Sequence, residues 1–233
     1  MKYRLNQTDF NQYKSTFPYK GKSIYNVLFE LHSQNIKTKK QKFAVNKLEK
    51  IFKATFKISA KIGFHEMSLR DLCEETNLSM GGIYSCIGSK DIIAIMIKDM
   101  VKQVSEDIIE KALKQDDTQL AFQTLITDMI YTTEILQPWF YFLYFETRSL
   151  PPSEQKASKE IEVLSLTTLE DLLNESNSHK NGDQNRYHFI ATMILAMIQE
   201  RYLKPWKYNN SNLSIEDYTE EILKLVFSAL ETH

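Results

Sequence analysis

The 233-residue chain predicts an all-α protein in two parts: an N-terminal three-helix unit of the helix–turn–helix kind, then a larger helical body. Three observations carry this. Apolar residues recur at helical spacing through almost every segment, and no stretch alternates as a strand would. Two short helical patterns joined by a tight turn fall between Ser68 and Lys90, SLRDLCEETNLSMGGIYSCIGSK. The charge is split: residues 1–98 carry 17 Lys and Arg against 8 Asp and Glu, whereas residues 99–233 carry 12 against 22. A front half near +9 and a back half near −10 suit one end that meets nucleic acid and one that stays off it.

Residues 1–45 read as a basic N-terminal extension. MKYRLNQTDFNQYKSTFPYKG is polar with scattered aromatics and a break at Pro18, which predicts mostly coil. Ser23 to Ser33 places Ile24, Val27, Leu28 and Leu31 at i, i+3, i+4 and i+7, a short amphipathic helix. Lys37, Lys39, Lys40 and Lys42 follow as a basic tract. The first long helix is expected over Val45–Ile62, with Leu48, Ile51, Phe52, Thr55, Ser59 and Ile62 on one face and Gly63 as its stop.

Ser68 and Asp71 form an S-x-x-D capping arrangement that opens a second helix, and Leu69, Leu72, Cys73 and Thr76 line its inward face. Asn77 is suited to the left-handed conformation that ends it. Ser79 caps a third helix, Met80 to about Cys86, with Ile83 and Ile87 turned inward. A helix–turn–helix of this size can lay its later helix in a DNA major groove.

From Ile62-Gly63-Phe64 through Ser68-Leu69-Arg70-Asp71-Leu72, Leu78-Ser79, Gly81-x-Ile83-Tyr84 and Ser89-Lys90-Asp91-Ile92-Ile93, the sequence resembles the DNA-binding segment of the TetR family of transcriptional regulators, over about residues 47–98. Asn77 stands where the family usually has Gly, and Ile87 where it usually has an aromatic. The resemblance implies that residues 46–98 are the DNA-binding domain and residues 99–233 the ligand-binding and dimerisation domain. It implies that Tyr84 and Lys90 meet phosphates and that Met80, Gly81 and Gly82 face base edges. Ser68 and Ser79 offer helix N-termini and hydroxyls to phosphates, and Arg70 can reach in from the second helix. In relatives of this architecture a basic arm at the place of Lys39 and Lys40 can reach the minor groove or phosphates; a solvated linker is the equal alternative. The third helix lacks Arg, Asn and Gln, the bidentate readers of bases, so specificity must lean on DNA shape or on the arm.

Further helices are expected over Asp91 to about Lys114, Gln119–Gln137, Pro138 to Leu150, Ser153 to about Asn174, Arg186–Leu203 and Ser214–Glu231. PWFYFLYFETRSLPP is the most aromatic stretch of the chain. It and the charged helix after it look like the region of family branches that respond to fatty-acid or other acyl-CoA ligands. Met129, Trp139, Tyr141, Tyr144 and Phe145 are candidates for a pocket, with Arg148 to meet a carboxylate or phosphate; the alternative is that the aromatics are core. The last two helices carry Tyr187, Ile190, Ile194 and Ile198, and Ile215, Tyr218, Ile222, Leu225, Val226 and Ala229. In the family this pair builds the four-helix bundle of a homodimer, though periodicity alone fits monomer core equally well.

Catalysis finds no support: the five histidines are scattered, and no metal-ligand spacing, phosphate-binding glycine loop or nucleophile elbow occurs. No cofactor is expected. Cys73 and Cys86 fall on inward positions and read as small buried hydrophobes, with a redox switch as the lesser alternative. No apolar run reaches the ~18 residues of a membrane span and no signal-peptide core is present, so a cytoplasmic protein is expected. The resulting expectation is a non-enzymatic repressor that binds a palindromic double-stranded operator as a homodimer and is released by a hydrophobic small molecule. A helical interaction protein without specific operator binding is the alternative, and a helical small-molecule enzyme ranks last.

Overall fold

The computed structural model describes residues 9–176, 183–208 and 211–231. Among these, eleven α-helices and two single 3₁₀ turns occur and no strand: α1 Phe10–Thr16, α2 Ser23–Leu31, α3 Gln41–Ile62, α4 Leu69–Thr76, α5 Met80–Tyr84, α6 Lys90–Leu113, α7 Thr118–Ile135, α8 Gln137–Glu146, α9 Pro152–Ser176, α10 Gln184–Leu203 and α11 Ile215–Glu231. The all-α expectation holds. No helix among the described residues is long and apolar enough to cross a membrane.

The chain divides into two compact units. One comprises residues 17–104 and 138–159, and the other comprises residues 1–16, 105–137 and 160–233. The expected extension, residues 1–45, is therefore shared between the units, and α6 and α9 each contribute residues to both.

The first unit is built on α3. The side that carries Leu48, Ile51, Phe52 and Thr55 is fully buried, and α2 and α4 pack against this helix. Into the same core go Leu28 of α2, Phe64 and Met67 of the loop after α3, Leu72 of α4 and Ile83 of α5. Trp139 and Phe142 of α8 complete it. Trp139 stacks on Phe52 at 5.3 Å with the rings 13° apart and meets Phe56 edge-on at 5.1 Å, and Phe142 meets Phe64 edge-on at 5.0 Å. Burying each such aromatic contributes about 2–3 kcal/mol, and the ring geometry adds roughly 1 kcal/mol per pair.

The second unit is built around α7, whose residues from Ala121 to Thr133 are almost all buried, with α1, α10 and α11 packed against it. The coil expected before Pro18 is corrected here: residues 10–16 form α1. Asp9 caps it by accepting the Gln12 N–H at 2.7 Å, and Phe10, Tyr13 and Phe17 stand at helical spacing. Tyr13 is buried, with its hydroxyl 2.8 Å from that of Thr132, and Phe10 lies edge-on to Tyr131 at 5.0 Å. Tyr187, Ile190, Ile194 and Ile198 of α10 and Ile215, Ile222 and Val226 of α11 also lie inside this unit. That apolar stripe is monomer core. The apolar side chains left outside are Phe189 and Met193, one turn apart on α10, and Leu225 on α11, exposed by 63%, 43% and 61%.

Candidate nucleic-acid interface

The turn between α4 and α5 is set by local chemistry. Ser68 Oγ accepts the Asp71 N–H at 3.2 Å while Asp71 Oδ2 accepts the Ser68 N–H at 2.7 Å, so the capping box is complete. The Ser68 N–H, and after it the Ser68 hydroxyl, which also donates to Asp71 Oδ2 at 2.9 Å, hold the Asp71 carboxyl below its ordinary value. Thr76 spans the turn. Its hydroxyl donates to Leu72 O at 2.5 Å and accepts the Leu78 N–H at 3.2 Å. Asn77 follows at φ 56°, ψ 29°, the only non-glycine residue at positive φ among those described. Ser79 Oγ then accepts the Gly82 N–H at 3.1 Å to open α5.

α5 is shorter than the sequence predicts. It ends at Tyr84, and Ser85 is its C-cap. Ile83 is the one buried residue on it; Gly81 and Tyr84 are exposed and Met80 and Gly82 half-buried. A Cβ on Gly81 would meet nothing within 4 Å, whereas one on Gly82 would come within 3.3 Å of Ser79 Oγ. The outward side of α5 is thus a bare backbone with one phenol, since Tyr84 is 43% exposed. Arg70 and Ser68 are exposed on α4 and its cap, and Lys39 and Lys40 are exposed just before α3.

The basic tract is not loose. Lys37 N–H and Thr38 N–H both donate to Ser85 O, at 2.9 and 3.1 Å. Lys47 Nζ of α3 reaches Ser85 Oγ at 3.0 Å. This ties Lys39 and Lys40 to the neighbourhood of α5. Sequence reasoning missed Thr38, Lys47 and Ser85, because nothing in their spacing announces a contact across 38–47 residues.

Lys90, to which the resemblance gives a phosphate, is held by the loop after α3. Its ammonium donates to Phe64 O, His65 O and Met67 O at 3.2, 2.7 and 3.0 Å and lies 5.2 Å from the Phe64 ring centre. An ammonium has three donors, so each has a protein acceptor. The same loop is gripped from α8, where Glu146 Oε1 accepts the Phe64 N–H at 3.1 Å.

Four of the six ligand candidates, Trp139, Tyr141, Tyr144 and Phe145, stand on α8. Trp139 is core against Phe52 and Phe56. Tyr141, Phe145 and Tyr144 do cluster, at ring separations of 4.6 and 5.3 Å, but Tyr144 and Phe145 are 50% and 45% exposed. Arg148 is exposed, and Met129 is buried on α7 in the other unit. Cys86 is buried, with its sulfur 3.8 Å from the Thr38 hydroxyl; Cys73 is half-buried rather than inward. Among the described residues no group of three His, Cys, Asp or Glu could hold a metal ion.

Charge is also placed in the body of each unit. Buried Lys98 pairs with Asp99 and Glu154, both at 2.6 Å, and His32 Nε2 lies 3.3 Å from Asp99. Burial pushes the Asp99 carboxyl up, but the contacts with His32 and Lys98 outweigh it and hold the group below its ordinary value. Asp128 is the opposite case. Burial raises its carboxyl above the ordinary value, and the 2.6 Å contact with Lys111 only partly offsets this.

No protein-family model and no curated protein sequence matches the chain. Solved structures do. The structure is similar to the TetR-family transcriptional regulator PfmR from Thermus thermophilus, at 20% identity and TM-score 0.65 over 78% of this chain and 98% of that one. It is similar to AibR in complex with isovaleryl coenzyme A and operator DNA, at 12% identity and TM-score 0.66 over 78% and 98%. It is also similar to the superantigen PfiT, at 17% identity and TM-score 0.57 over 77% and 95%. At these identities the likeness is one of architecture: over about four fifths of its length, the chain has the fold of the TetR-family transcriptional regulators.

Proposed function

We propose that the chain is a ligand-responsive transcriptional regulator, a repressor that binds a palindromic operator as a homodimer and is released by a hydrophobic small molecule. The observation that carries this reading is the α4–Asn77–α5 geometry: a complete capping box, a left-handed turn residue and a capped second helix whose outward side is left open. In this reading α5 lies in the major groove, with Gly81 and Gly82 permitting close backbone approach and Met80 touching thymine methyls. Tyr84, Arg70, Lys39 and Lys40, together with the helix starts at Ser68 and Ser79, hold the phosphates and fix register. Since Lys90 is committed to the loop after α3, it acts here by holding that loop.

Phe189, Met193 and Leu225 support the homodimer, because these large apolar side chains stay in solvent on α10 and α11 of a single chain. The effector is of the fatty-acid or acyl-CoA class. Support comes from the aromatic α8 and from AibR, a structural neighbour seen with an acyl coenzyme A. Two half-sites about 34–36 Å apart must be met at once, so a ligand that favours another spacing of the two α5 helices releases the DNA.

A second reading, an interaction protein that keeps the fold without reading an operator, is favoured by α5 itself and by the likeness to a superantigen. Footprinting on genomic fragments separates the two. The regulator protects two half-sites one helical turn apart and loses that protection on adding a long-chain acyl-CoA. Uniform, salt-sensitive protection with no preferred fragment sinks the regulator reading and leaves the second.

A further inference from the structure

Five residues with two adjacent glycines are a weak helix: glycine is among the poorest helix formers, and one and a half turns lie far below the length at which helices sustain themselves. Only Ile83 anchors α5 to the core. Its C-terminal end is where its orientation is settled, and there Ser85 has every polar group in use. The Ser85 carbonyl accepts the N–H groups of Lys37 and Thr38. Its hydroxyl donates to Gly82 O at 2.7 Å and accepts from Thr38 Oγ1 and from Lys47 Nζ, both at 3.0 Å. One O–H and two lone pairs are thereby all satisfied. The segment that supplies these partners is itself fixed. Ile36 is buried, its N–H bonds to His32 O at 3.2 Å, and His32 lies against Asp99 of α6.

We propose that residues 36–40 are a strap that sets the DNA-reading helix, with Thr38 and Lys47 as positioning residues acting through Ser85. The N-terminal extension is then part of the reading head, because it holds α5 through Ser85, next to the buried Cys86 and Ile87. The strap also fixes where Lys39 and Lys40 stand. This rests on the DNA-binding reading for its consequence, but the bracing of α5 stands without it.

The test uses the full-length protein, with Thr38→Val, Thr38→Ser, Ser85→Ala and the Thr38→Val/Ser85→Ala double variant. Amide hydrogen exchange across residues 82–87 and operator affinity are the two readouts. Losing one hydrogen bond corresponds to about a 5-fold change in an equilibrium. Thr38→Val should speed exchange at Ser85, Cys86 and Ile87 by about that factor and weaken operator binding about 5-fold, and Ser85→Ala, which removes three hydrogen bonds, should do both by at least as much. Thr38→Ser should restore both readouts. The double variant should be no worse than Ser85→Ala alone, since Thr38 acts through the Ser85 hydroxyl that this variant already lacks. Unchanged exchange in Thr38→Val overturns the strap, whatever the DNA result. Faster exchange with operator affinity intact also overturns it, because the helix would then be read without its brace. If the wild-type protein binds no DNA, the regulator reading falls and the exchange result alone decides the bracing.

Discussion

Replacing Lys90 with methionine separates two roles that its sequence position allows. As a brace, Lys90 holds three carbonyls of the loop after α3 and lies over the Phe64 ring. Charge-assisted hydrogen bonds contribute about 1.5–3 kcal/mol when shielded. His65 is exposed, so water replaces that bond at small cost, and solvent screening brings the other two to about 1 kcal/mol each. The ring contact adds about 0.5–1 kcal/mol. The sum is about 2–3 kcal/mol, a fall of roughly 5–10 °C in the thermal midpoint for a chain of this size. Methionine keeps the apolar stem, so the loss reports the ammonium. Circular dichroism melting reads this directly, and a salt titration of DNA binding reads the other role. A lysine that meets a phosphate contributes about 0.9 to the log–log salt slope, and as a free surface residue it changes stability by no more than about 0.5 kcal/mol. The brace predicts a lowered midpoint with the slope unchanged. A midpoint within about 1 °C of wild type, with the slope reduced by about one, would refute the reasoning.

Three further substitutions probe other parts of the account. Asn77→Gly should stabilise the protein by up to about 1 kcal/mol, since glycine takes positive φ freely, while Asn77→Val should cost about 1–2 kcal/mol; urea melts with a common m-value read both. Trp139→Ala should cost about 3–5 kcal/mol by removing the ring stacked on Phe52 and edge-on to Phe56, and a melting curve like wild type's would remove α8 from the core. Asp128→Asn bears on pH. A carboxyl raised in the folded state binds its proton more tightly there than in the unfolded chain, so its ionisation opposes folding above the folded value and that penalty fades as pH falls through it. The variant should therefore melt at or above wild type at pH 7, with the gap closing as pH is lowered toward the ordinary carboxylate range. A gap that widens on acidification would contradict this.

The parts of the fold legible in the sequence are those fixed by neighbours in the chain. Ser68 with Asp71, Thr76 with Asn77 and Ser79 with Gly82 settle the helix–turn–helix within a few residues, so capping and turn chemistry suffice to read it. α1 is also legible in principle through Asp9 as cap and the Phe10, Tyr13, Phe17 spacing, but polar residues between them hide the apolar face. Periodicity shows that α10 and α11 each have an apolar stripe. It does not show that Ile194 and Val226 are buried while Phe189 and Leu225 stay in solvent, because both sets satisfy the same 3.6-residue period. By type Trp139 fits either a pocket or a core, and Lys90 reads as a surface cation. Their partners, Phe52 and the loop carbonyls, lie 87 and 23–26 residues away, and no local pattern encodes such pairings.

The most direct test is a fluorescence-anisotropy titration of the purified protein against a genomic fragment library at two salt concentrations, with Tyr84→Ala beside the wild type. The account predicts tight binding to a few fragments, a steep fall in affinity with salt, and loss of that binding in Tyr84→Ala. Weak binding that is uniform across fragments and shared by the variant would contradict it.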